Sequence, residues 1–271
     1  MRIEIKDLKY VYPTGDQALR GISTIIDGSE SVAIIGQNGS GKTTLVKHFN
    51  GILRPTSGTV LIDNEDINNR TTAQWAKKVG YVFQNPDDQL FLDSVRKELE
   101  FGPRQIGLPE AEIEKNVRYA AELCHVDDKL DKHPFDLNTT DKKFCAIAAI
   151  ISMNPDVLVF DEPTMGQDIE GSKRLSNIIT EQKKLGKLCI TISHDMKFVV
   201  KNFERIIVLC QGEILLDGDR EFVLSQPEIL KKSFVTPPPV TRVGQAVSLD
   251  STVFTVEALV KKVNEKKGKS A

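Results

Sequence analysis

The chain has 271 residues, and its 36 basic and 38 acidic side chains give a formal net charge of −2. This length can hold one large domain with an appendage, and a 40% hydrophobic content suits a globular protein. A near-neutral charge argues against nucleic acid as the partner. The longest mostly apolar run, residues 144–153, is half of what a bilayer span needs, so we expect no membrane crossing and a cytoplasmic location.

The first part of the chain has strand patterns interrupted by one helix pattern. Residues 3–12 and 18–26 alternate around the turn at 13–16 and predict antiparallel strands. An apolar strand, a glycine-rich loop and a helix ending near Gly51 come next. A hairpin over 58–67 and a buried strand over 79–83 follow. The first pair of strands therefore predicts an antiparallel unit at the start of the chain.

The periodicity becomes helical between residues 93 and 153, which we interpret as a helical insertion with candidate helices at 93–101, 109–125 and 141–153. Apolar strands at 157–160 and 188–192 then flank a helix over 169–185, which is typical of an α/β core with a parallel sheet. A final hairpin over 205–216, a helix near 219–226 and a semi-rigid Thr236–Pro239 spacer precede the tail.

Four cysteines are widely separated and lie in apolar segments. With no paired spacing and no histidine cluster nearby, we expect buried reduced thiols rather than a metal site or disulfides. They are Cys124, Cys145, Cys189 and Cys210.

The most informative segment is the glycine-rich loop after the strand at 31–35. Its pattern G-x-x-x-x-G-K-T predicts a nest of backbone N–H groups at a helix N-terminus that holds a chain of phosphates. Glycine allows close approach to the oxygens, the lysine supplies a mobile charge, and the threonine hydroxyl suits Mg²⁺. The loop residues are Gly36, Gln37, Asn38, Gly39, Ser40, Gly41, Lys42 and Thr43, with Thr44 continuing into the helix.

Other candidate residues follow predicted strands. Asp161 ends an apolar strand, where it could hold Mg²⁺ through water beside Thr43, and Glu162 could polarise the attacking water. Gln84 could contact Mg²⁺ or the water, or be a turn residue. His194 is by itself a capping or packing residue as readily as a functional one. Tyr12 could stack on adenine, although strand packing explains it equally well.

Taken together and in this order, these motifs resemble the ATP-binding subunit of ABC transporters over residues 1–235. The resemblance implies a P-loop NTPase core with a mixed, mostly parallel sheet, an antiparallel N-terminal subdomain and a helical subdomain at about 93–153. It implies ATP hydrolysis by two such subunits meeting head to tail, each ATP lying between one phosphate loop and the other chain's signature loop. It assigns base stacking to Tyr12, Mg²⁺ contacts to Thr43, Gln84 and Asp161, the general base to Glu162, and γ-phosphate sensing to His194.

A narrower resemblance is to the energy-coupling factor group, which imports vitamins and metal ions. Residues 84–91 look like that group's segment after the glutamine, and residues 236–271 look like its C-terminal appendage. By this likeness, Asp87 and Asp88 face arginines of a transmembrane coupling subunit, and a separate membrane subunit binds the substrate. One of these aspartates could equally be a helix cap. The implied location is peripheral, on the cytoplasmic face of the membrane.

The sequence departs from the family pattern at the signature loop. In place of Leu-Ser-Gly-Gly-Gln, it has Leu137-Asn138-Thr139-Thr140-Asp141. We expect the two threonine Cβ atoms to hinder approach to a partner's γ-phosphate and Asp141 to add a like charge, although the segment can still begin a helix. The loop at 165–168 also departs from the usual small-residue form but keeps Asp168. These departures predict pairing with a different ATPase that has an intact signature.

Three other functions remain open from the sequence. A soluble ABC ATPase acting on ribosomes or DNA is disfavoured by the single phosphate loop and the near-neutral charge. A mainly structural, nucleotide-sensing subunit is disfavoured by the presence of Glu162 and His194. A small-molecule kinase would share the phosphate loop but would not predict Gln84, the Asp161–Glu162 pair and His194 together.

Overall fold

A computed structural model describes residues 1–28, 31–249 and 251–269. The first of its two sheets is antiparallel and has the strand order β2-β1-β4-β5. Its strands are β1 (Arg2–Val11), β2 (Gln17–Asp27), β4 (Ser57–Ile62) and β5 (Glu65–Asp66). The predicted N-terminal antiparallel unit and the hairpin after the first helix are thus confirmed.

The second sheet has the order β10-β9-β3-β8-β7-β6, in which only the β9–β10 pair is antiparallel. Every residue of β3, β6, β7 and β8 is buried, as expected for parallel strands covered on both faces. The strands are β3 (Ser31–Ile35), β6 (Val79–Val82), β7 (Val157–Asp161), β8 (Leu188–Ile192), β9 (Arg205–Cys210) and β10 (Glu213–Asp219). The predicted mixed, mostly parallel core is confirmed.

The core lies on both faces of this sheet because side chains of a strand alternate between faces. Val32 and Ile34 of β3 pack with the N-terminal sheet and the first helix, whereas Ala33 and Ile35 pack with the helical side. The helices of the core are α1 (Lys42–Lys47), α2 (Thr72–Ala76), α6 (Ile169–Lys184), α7 (Met196–Asn202), α8 (Arg220–Leu224) and α9 (Pro227–Lys232). Cys124, Cys145 and Cys189 are buried and Cys210 is half-buried, all as free thiols.

Helix α1 is shorter than the sequence pattern indicated. It ends at Lys47 rather than near Gly51, because the backbone N–H of His48 donates to the Leu45 carbonyl and that of Phe49 donates to the Val46 carbonyl, each only three residues back. Gly51 then adopts a left-handed conformation with φ of +71°, which a helix cannot continue.

Residues 93–153 form the predicted helical subdomain, with α3 (Val95–Gln105), α4 (Glu110–Leu123) and α5 (Thr139–Ile151). Helix α3 continues past the expected end at Phe101 and contains Pro103. Proline cannot donate to the carbonyl four residues earlier, which belongs to Leu99. Ser152 Oγ donates to that carbonyl at 2.7 Å and thereby compensates for the missing bond. This long-range contact explains why the helix was predicted too short.

The C-terminal segment contains α10 (Pro239–Ala246) and α11 (Val256–Lys269). Pro239 is the first residue of α10, so it is not part of the expected spacer; proline suits that position because its N–H would have no helical partner. Gln245 Nε2 donates to the Leu224 carbonyl at 2.7 Å, and Arg220 lies over the Phe254 ring. The segment thus contacts α8, while its assignment as a separate appendage stays a prediction. No helix of the described ranges is long and apolar enough to cross a bilayer.

Candidate nucleotide site

Four neighbouring parallel strands bring the predicted site residues to one edge of the core sheet. β3 leads into the phosphate loop, β6 into Gln84, β7 into Glu162, and β8 into His194. Adjacent parallel strands end at the same edge, so these loops meet. A cleft of about 790 Å³ lies there, lined by Tyr12, Asn38, Gly39, Ser40, Gly41, Lys42, Thr43, Thr44, Gln84, Glu162 and His194 among others. Gly36, Gln37 and Asp161 support the cleft from outside its lining.

The phosphate loop depends on glycine at two positions where the backbone passes close to its neighbours. A Cβ at Gly36 would lie 2.1 Å from the Leu209 carbonyl oxygen, and one at Gly41 would lie 2.8 Å from that of Ala18. Both glycines also have positive φ, 145° and 101°, which favours glycine. Gly41 is the N-cap of α1, so the loop passes directly into the helix whose positive end faces the cleft.

Lys42 lies folded over this loop. Its ammonium donates to the carbonyls of Gly36 at 2.8 Å and Gln37 at 2.9 Å. Burial lowers the pKa of Lys42, and the charges of Glu162 and Asp161 partly oppose that effect. An ammonium has three N–H donors, so one remains for a phosphate oxygen.

Asp161 lies beside the phosphate loop and offers hard oxygen ligands together with Thr43. The Thr43 hydroxyl is 3.4 Å from Asp161 Oδ1, and the Tyr81 hydroxyl donates to Oδ2 at 2.7 Å. Asp161 is only 3% exposed. The described residues hold no cluster of three His, Cys, Asp or Glu that could bind a metal. The Thr43 hydroxyl and the Asp161 carboxylate are oxygen ligands of the kind that suit Mg²⁺, which is commonly bound by few protein oxygens together with substrate phosphates.

Gln84 lines the cleft, but its side chain takes a different partner. Its Nε2 atom donates to the Met165 sulfur at 3.4 Å, in the loop after Glu162. Gln84 and Met165 are both exposed, with Met165 at 57%. This contact links Gln84 to the loop after Asp161 and Glu162. Of the three residues predicted to contact Mg²⁺, Thr43 and Asp161 therefore lie against each other, while the Gln84 side chain is turned to Met165.

Glu162 and His194 form the polar pair opposite the phosphate loop. Burial raises the pKa of Glu162 to about 7, while the backbone N–H of His194, which donates to Oε2 at 3.2 Å, and the charge of Lys42 lower it. His194 Nε2 lies 3.1 Å from Glu162 Oε1. Burial and the charge of Lys42 lower the pKa of His194, so its ring is neutral at pH 7. A carboxylate with a pKa near the working pH suits a general base.

Tyr12 lies at the rim of the cleft and is 36% exposed. Its hydroxyl is hydrogen-bonded to Thr44 Oγ1 at 2.8 Å, and the Tyr10 ring packs edge-on against it at 4.9 Å. Tyr10 also packs against His48, so it is a strand-packing residue. Thr44 is buried and fixes the position of Tyr12 while lining the cleft itself.

Comparison with known proteins agrees with this arrangement. The profile of the ABC transporter family matches residues 19–165. The energy-coupling factor transporter ATP-binding protein EcfA of Methanothermobacter thermautotrophicus is 40% identical over 233 residues, covering 85% of this chain and 75% of that protein. EcfA2 of Clostridium perfringens is 38% identical over 270 residues, covering 94% and 95%. The solved structure of cbiO1 from Clostridium perfringens, part of the ABC transporter complex cbiONQ, has a TM-score of 0.76 at 36% identity and covers 90% of this chain and 98% of that one.

The chain belongs to the ABC transporter ATPase family. In this family, ATP hydrolysis is coupled to transport. The four-strand edge with its phosphate loop is the candidate nucleotide site of this ABC ATPase.

The segment in which the sequence resemblance predicts the signature loop begins α5. Asn138 is the N-cap, and its Oδ1 atom accepts from the Asp141 backbone N–H at 2.8 Å. The Asp141 carboxylate lies 3.6 Å from Arg174 and 3.8 Å from Lys129, and is 15% exposed. The expected like charge toward a phosphate is thus offset within the chain by two cations. Thr139 and Thr140 are the first two residues of α5, so the helix begins two residues before the predicted start at 141.

Two residues of this site escaped the sequence interpretation. Tyr81 is a strand residue by pattern, and only the pairing of β6 with β7 brings its hydroxyl to Asp161, 80 positions away. Lys143 belongs to α5 and donates to the carbonyls of Phe83 and Gln84. Tyr81 stands out in sequence only as a tyrosine in an apolar strand, and Lys143 only as the last charged residue before the apolar part of α5.

Proposed function

We propose that this ABC ATPase powers an importer of the energy-coupling factor type, for vitamins or metal ions, as one half of an ATPase heterodimer. The observation that carries the proposal is the single cleft in which the phosphate loop, Glu162 and His194 face one another. The 38–40% identity to two energy-coupling factor ATP-binding proteins supports the transporter type.

The phosphate loop and its neighbours would bind the nucleotide. Lys42 and the loop amides contact the β and γ phosphates, and Tyr12 stacks on the base at the rim. Thr43 and Asp161 would hold Mg²⁺, with Gln84 as a further contact once its amide leaves Met165. When bound, Mg²⁺ would offset negative charge on the β and γ oxygens. The Tyr81 hydroxyl keeps the Asp161 carboxylate oriented toward Thr43.

Glu162 is the general base in this proposal. Its carboxylate accepts a proton from water while the water oxygen forms a bond to the γ-phosphorus. The bond from the γ-phosphorus to the bridging oxygen breaks, which yields ADP and phosphate. His194 lies against Glu162 through both its backbone N–H and its ring. It therefore holds the carboxylate in place and senses the γ-phosphate beside it.

The heterodimer follows from an asymmetry between the two halves of the site. The phosphate-loop half has every expected residue, whereas the signature half has Cβ atoms at Thr139 and Thr140 where close approach to a phosphate favours glycine. We infer that the companion ATPase supplies an intact signature to this chain's Lys42 and Glu162. The reverse site, on the companion's nucleotide, would turn over slowly.

The membrane partners in this proposal are a transmembrane coupling subunit and a substrate-binding subunit, with this chain on the cytoplasmic face. Asp87 and Asp88 are exposed in the turn after Gln84, where Asn85 is the cap. Asp87 forms an ion pair with Lys142 at 2.9 Å, and Asp88 has no ion-pair partner among the described residues. Asp88 is therefore the better candidate for contact with a cationic coupling helix.

The experiment is to purify the chain alone and in complex with its companion ATPase and membrane subunits, with Lys42→Ala and Glu162→Gln as variants. We expect slow turnover by the chain alone and fast turnover by the complex. Replacing Glu162 should remove most of the complex's turnover, whereas replacing the companion's own base should spare most of it.

Three outcomes would contradict the proposal. Homodimerisation of the chain with full ATPase activity would exclude the need for a companion. Co-purification with ribosomes or DNA instead of membrane proteins would favour a soluble ABC ATPase. Normal transport by the Glu162→Gln complex, with nucleotide bound but not hydrolysed in a single turnover, would favour a nucleotide-sensing subunit.

A further inference from the structure

Lys143 is a buried lysine beside the nucleotide cleft. It is 2% exposed and belongs to α5, the helix that begins at the signature segment. Its ammonium donates to the carbonyl of Phe83 at 3.1 Å and to that of Gln84 at 2.5 Å. Burying an ammonium is unfavourable unless it is well paired, so these contacts hold Lys143 to the strand end.

The contacts of Lys143 join two parts of the site that are far apart in sequence. Phe83 and Gln84 follow β6 at the edge of the core sheet, while α5 belongs to the helical subdomain. Gln89 Nε2 also donates to the Ala146 carbonyl of α5 at 2.6 Å, and Lys142 pairs with Asp87 at 2.9 Å. Helix α5 therefore holds the segment 83–89 at three points, and Lys143 is the one that contacts Gln84 itself.

Lys143 also lies within the electrostatic reach of the acidic pair. Its pKa is lowered to about 8 by burial, and the charges of Asp161 and Glu162 oppose this effect. The lysine ammonium thus lies against the glutamine segment, near the acidic pair. No sequence motif of the site requires a lysine here.

We propose that Lys143 is a positioning residue for ATP hydrolysis, which ties the backbone at Gln84 to α5 so that Gln84 moves with the helical subdomain. The inference rests on the proposed function, because the movement concerned is the docking of α5 against the companion's nucleotide. When that docking shifts α5, the two hydrogen bonds carry the shift to Gln84 and hence to this chain's own cleft. Without these two hydrogen bonds, Gln84 moves only with the core sheet.

The test compares Lys143→Met, Lys143→Arg and a matched control, Lys187→Met. Methionine keeps the length of an unbranched side chain without its donors, and arginine keeps the charge and the donors. Lys187 is also buried, at 9% exposure, and donates to Asn154 Oδ1 at 2.5 Å, but it precedes β8 at the end remote from His194. Its replacement controls for the loss of any buried lysine.

The first readout is hydrogen exchange of the backbone amides in residues 83–90 of the full chain, which requires no ATPase activity. Loss of hydrogen bonds from a charged donor should increase exchange there by about tenfold or more in Lys143→Met. We expect Lys143→Arg and Lys187→Met to exchange in that segment as the wild type does. Equal exchange in Lys143→Met and wild type would overturn the proposal.

The second readout is the ATPase activity of the assembled complex. Lys143→Met should lower kcat by about tenfold and leave KM for ATP within about twofold, because the phosphate loop and Tyr12 are untouched. Lys143→Arg should recover most of kcat. An equal loss of kcat in Lys187→Met, or a rise in KM at unchanged kcat in Lys143→Met, would refute the positioning role.

A wild-type complex without ATPase activity would instead contradict the proposed function, and the hydrogen-exchange result would still stand. Should Lys143→Met fail to fold, Lys143→Leu, which also lacks donors, provides the same comparison.

Discussion

The substitution Glu162→Gln tests two properties of Glu162 separately: its proposed role as general base, and the effect of its buried charge on the free energy of unfolding. The amide has nearly the same shape as the carboxylate, and its oxygen can still accept from the His194 backbone N–H. It cannot take a proton from water. We expect turnover of the complex to fall by about 10²–10⁴-fold, the usual contribution of a general base. ATP binding should persist because Lys42 and the loop amides are unchanged.

The same substitution should stabilise the protein in the absence of nucleotide. Burial raises the pKa of Glu162 from 4.5 to about 7, and the side chain is only 12% exposed. At 1.36 kcal/mol per pH unit, keeping this carboxylate charged costs the folded state about 3 kcal/mol above pH 7. The folded state takes up a proton as the pH falls below 7, and the cost vanishes near pH 4.5. Glu162→Gln should therefore gain up to about 3 kcal/mol at pH 8 and almost nothing near pH 4.5.

The assay is urea unfolding at pH 8.0 and 5.5 in EDTA, monitored by the fluorescence of the single tryptophan, Trp75, which is fully buried. Glu114→Gln, an exposed glutamate on α4, is the matched control and should change stability little at either pH. A Glu162→Gln gain that is equal at both pH values, or absent at pH 8.0, would refute the assignment of a raised pKa to a buried carboxylate. Undiminished turnover would remove Glu162 from the role of base.

Three further substitutions test contacts that support the site. Tyr81→Phe removes the hydroxyl that donates to Asp161 Oδ2 and should lower the free energy of unfolding by about 1.5–3 kcal/mol in urea titrations. An unchanged midpoint would contradict this. Burial lowers the pKa of His48, so the stability that its neutral ring contributes to the fold is complete above about pH 6.5 and is lost as the pH falls. The difference in free energy of unfolding between wild type and His48→Gln should therefore narrow from pH 7.5 to 5.5. A difference that widens would refute the lowered pKa. Ser152→Ala leaves the Leu99 carbonyl without its donor and should cost about 1–3 kcal/mol by the same titration, whereas a neutral result would show that water replaces the hydroxyl.

The sequence predicted the sheet and the site loops well because both depend on local patterns. Apolar runs of four or five residues marked the buried strands, and glycine or acidic residues marked their ends. Since parallel strands end at one edge, locating the strands also located the phosphate loop, Glu162 and His194 near one another. Helix boundaries were less predictable, as at Pro103, where a serine 49 positions further along compensates for the missing N–H.

The features that sequence patterns missed are contacts between distant segments. The hydrogen bond between Tyr81 and Asp161 joins residues 80 positions apart, and the one between Lys143 and Gln84 joins residues 59 positions apart. Local periodicity carries no information about such pairs, because it reports only which side of an element faces the core. The ion pair between Asp141 and Arg174 is likewise a contact between distant segments, which the sequence pattern did not predict.

The first turn of α5 has its polar groups paired within this chain, and this bears on the proposed division of the site between two subunits. Asn138 already caps the Asp141 N–H, and Arg174 and Lys129 already offset the Asp141 charge. A helix N-terminus that is capped in this way offers fewer free donors to a phosphate than one that begins with glycines. The same helix nevertheless holds Gln84 through Lys143. Helix α5 therefore contacts this chain's own cleft directly, while in the proposed heterodimer the residues that stabilise its first turn would weaken its contribution to the companion's nucleotide.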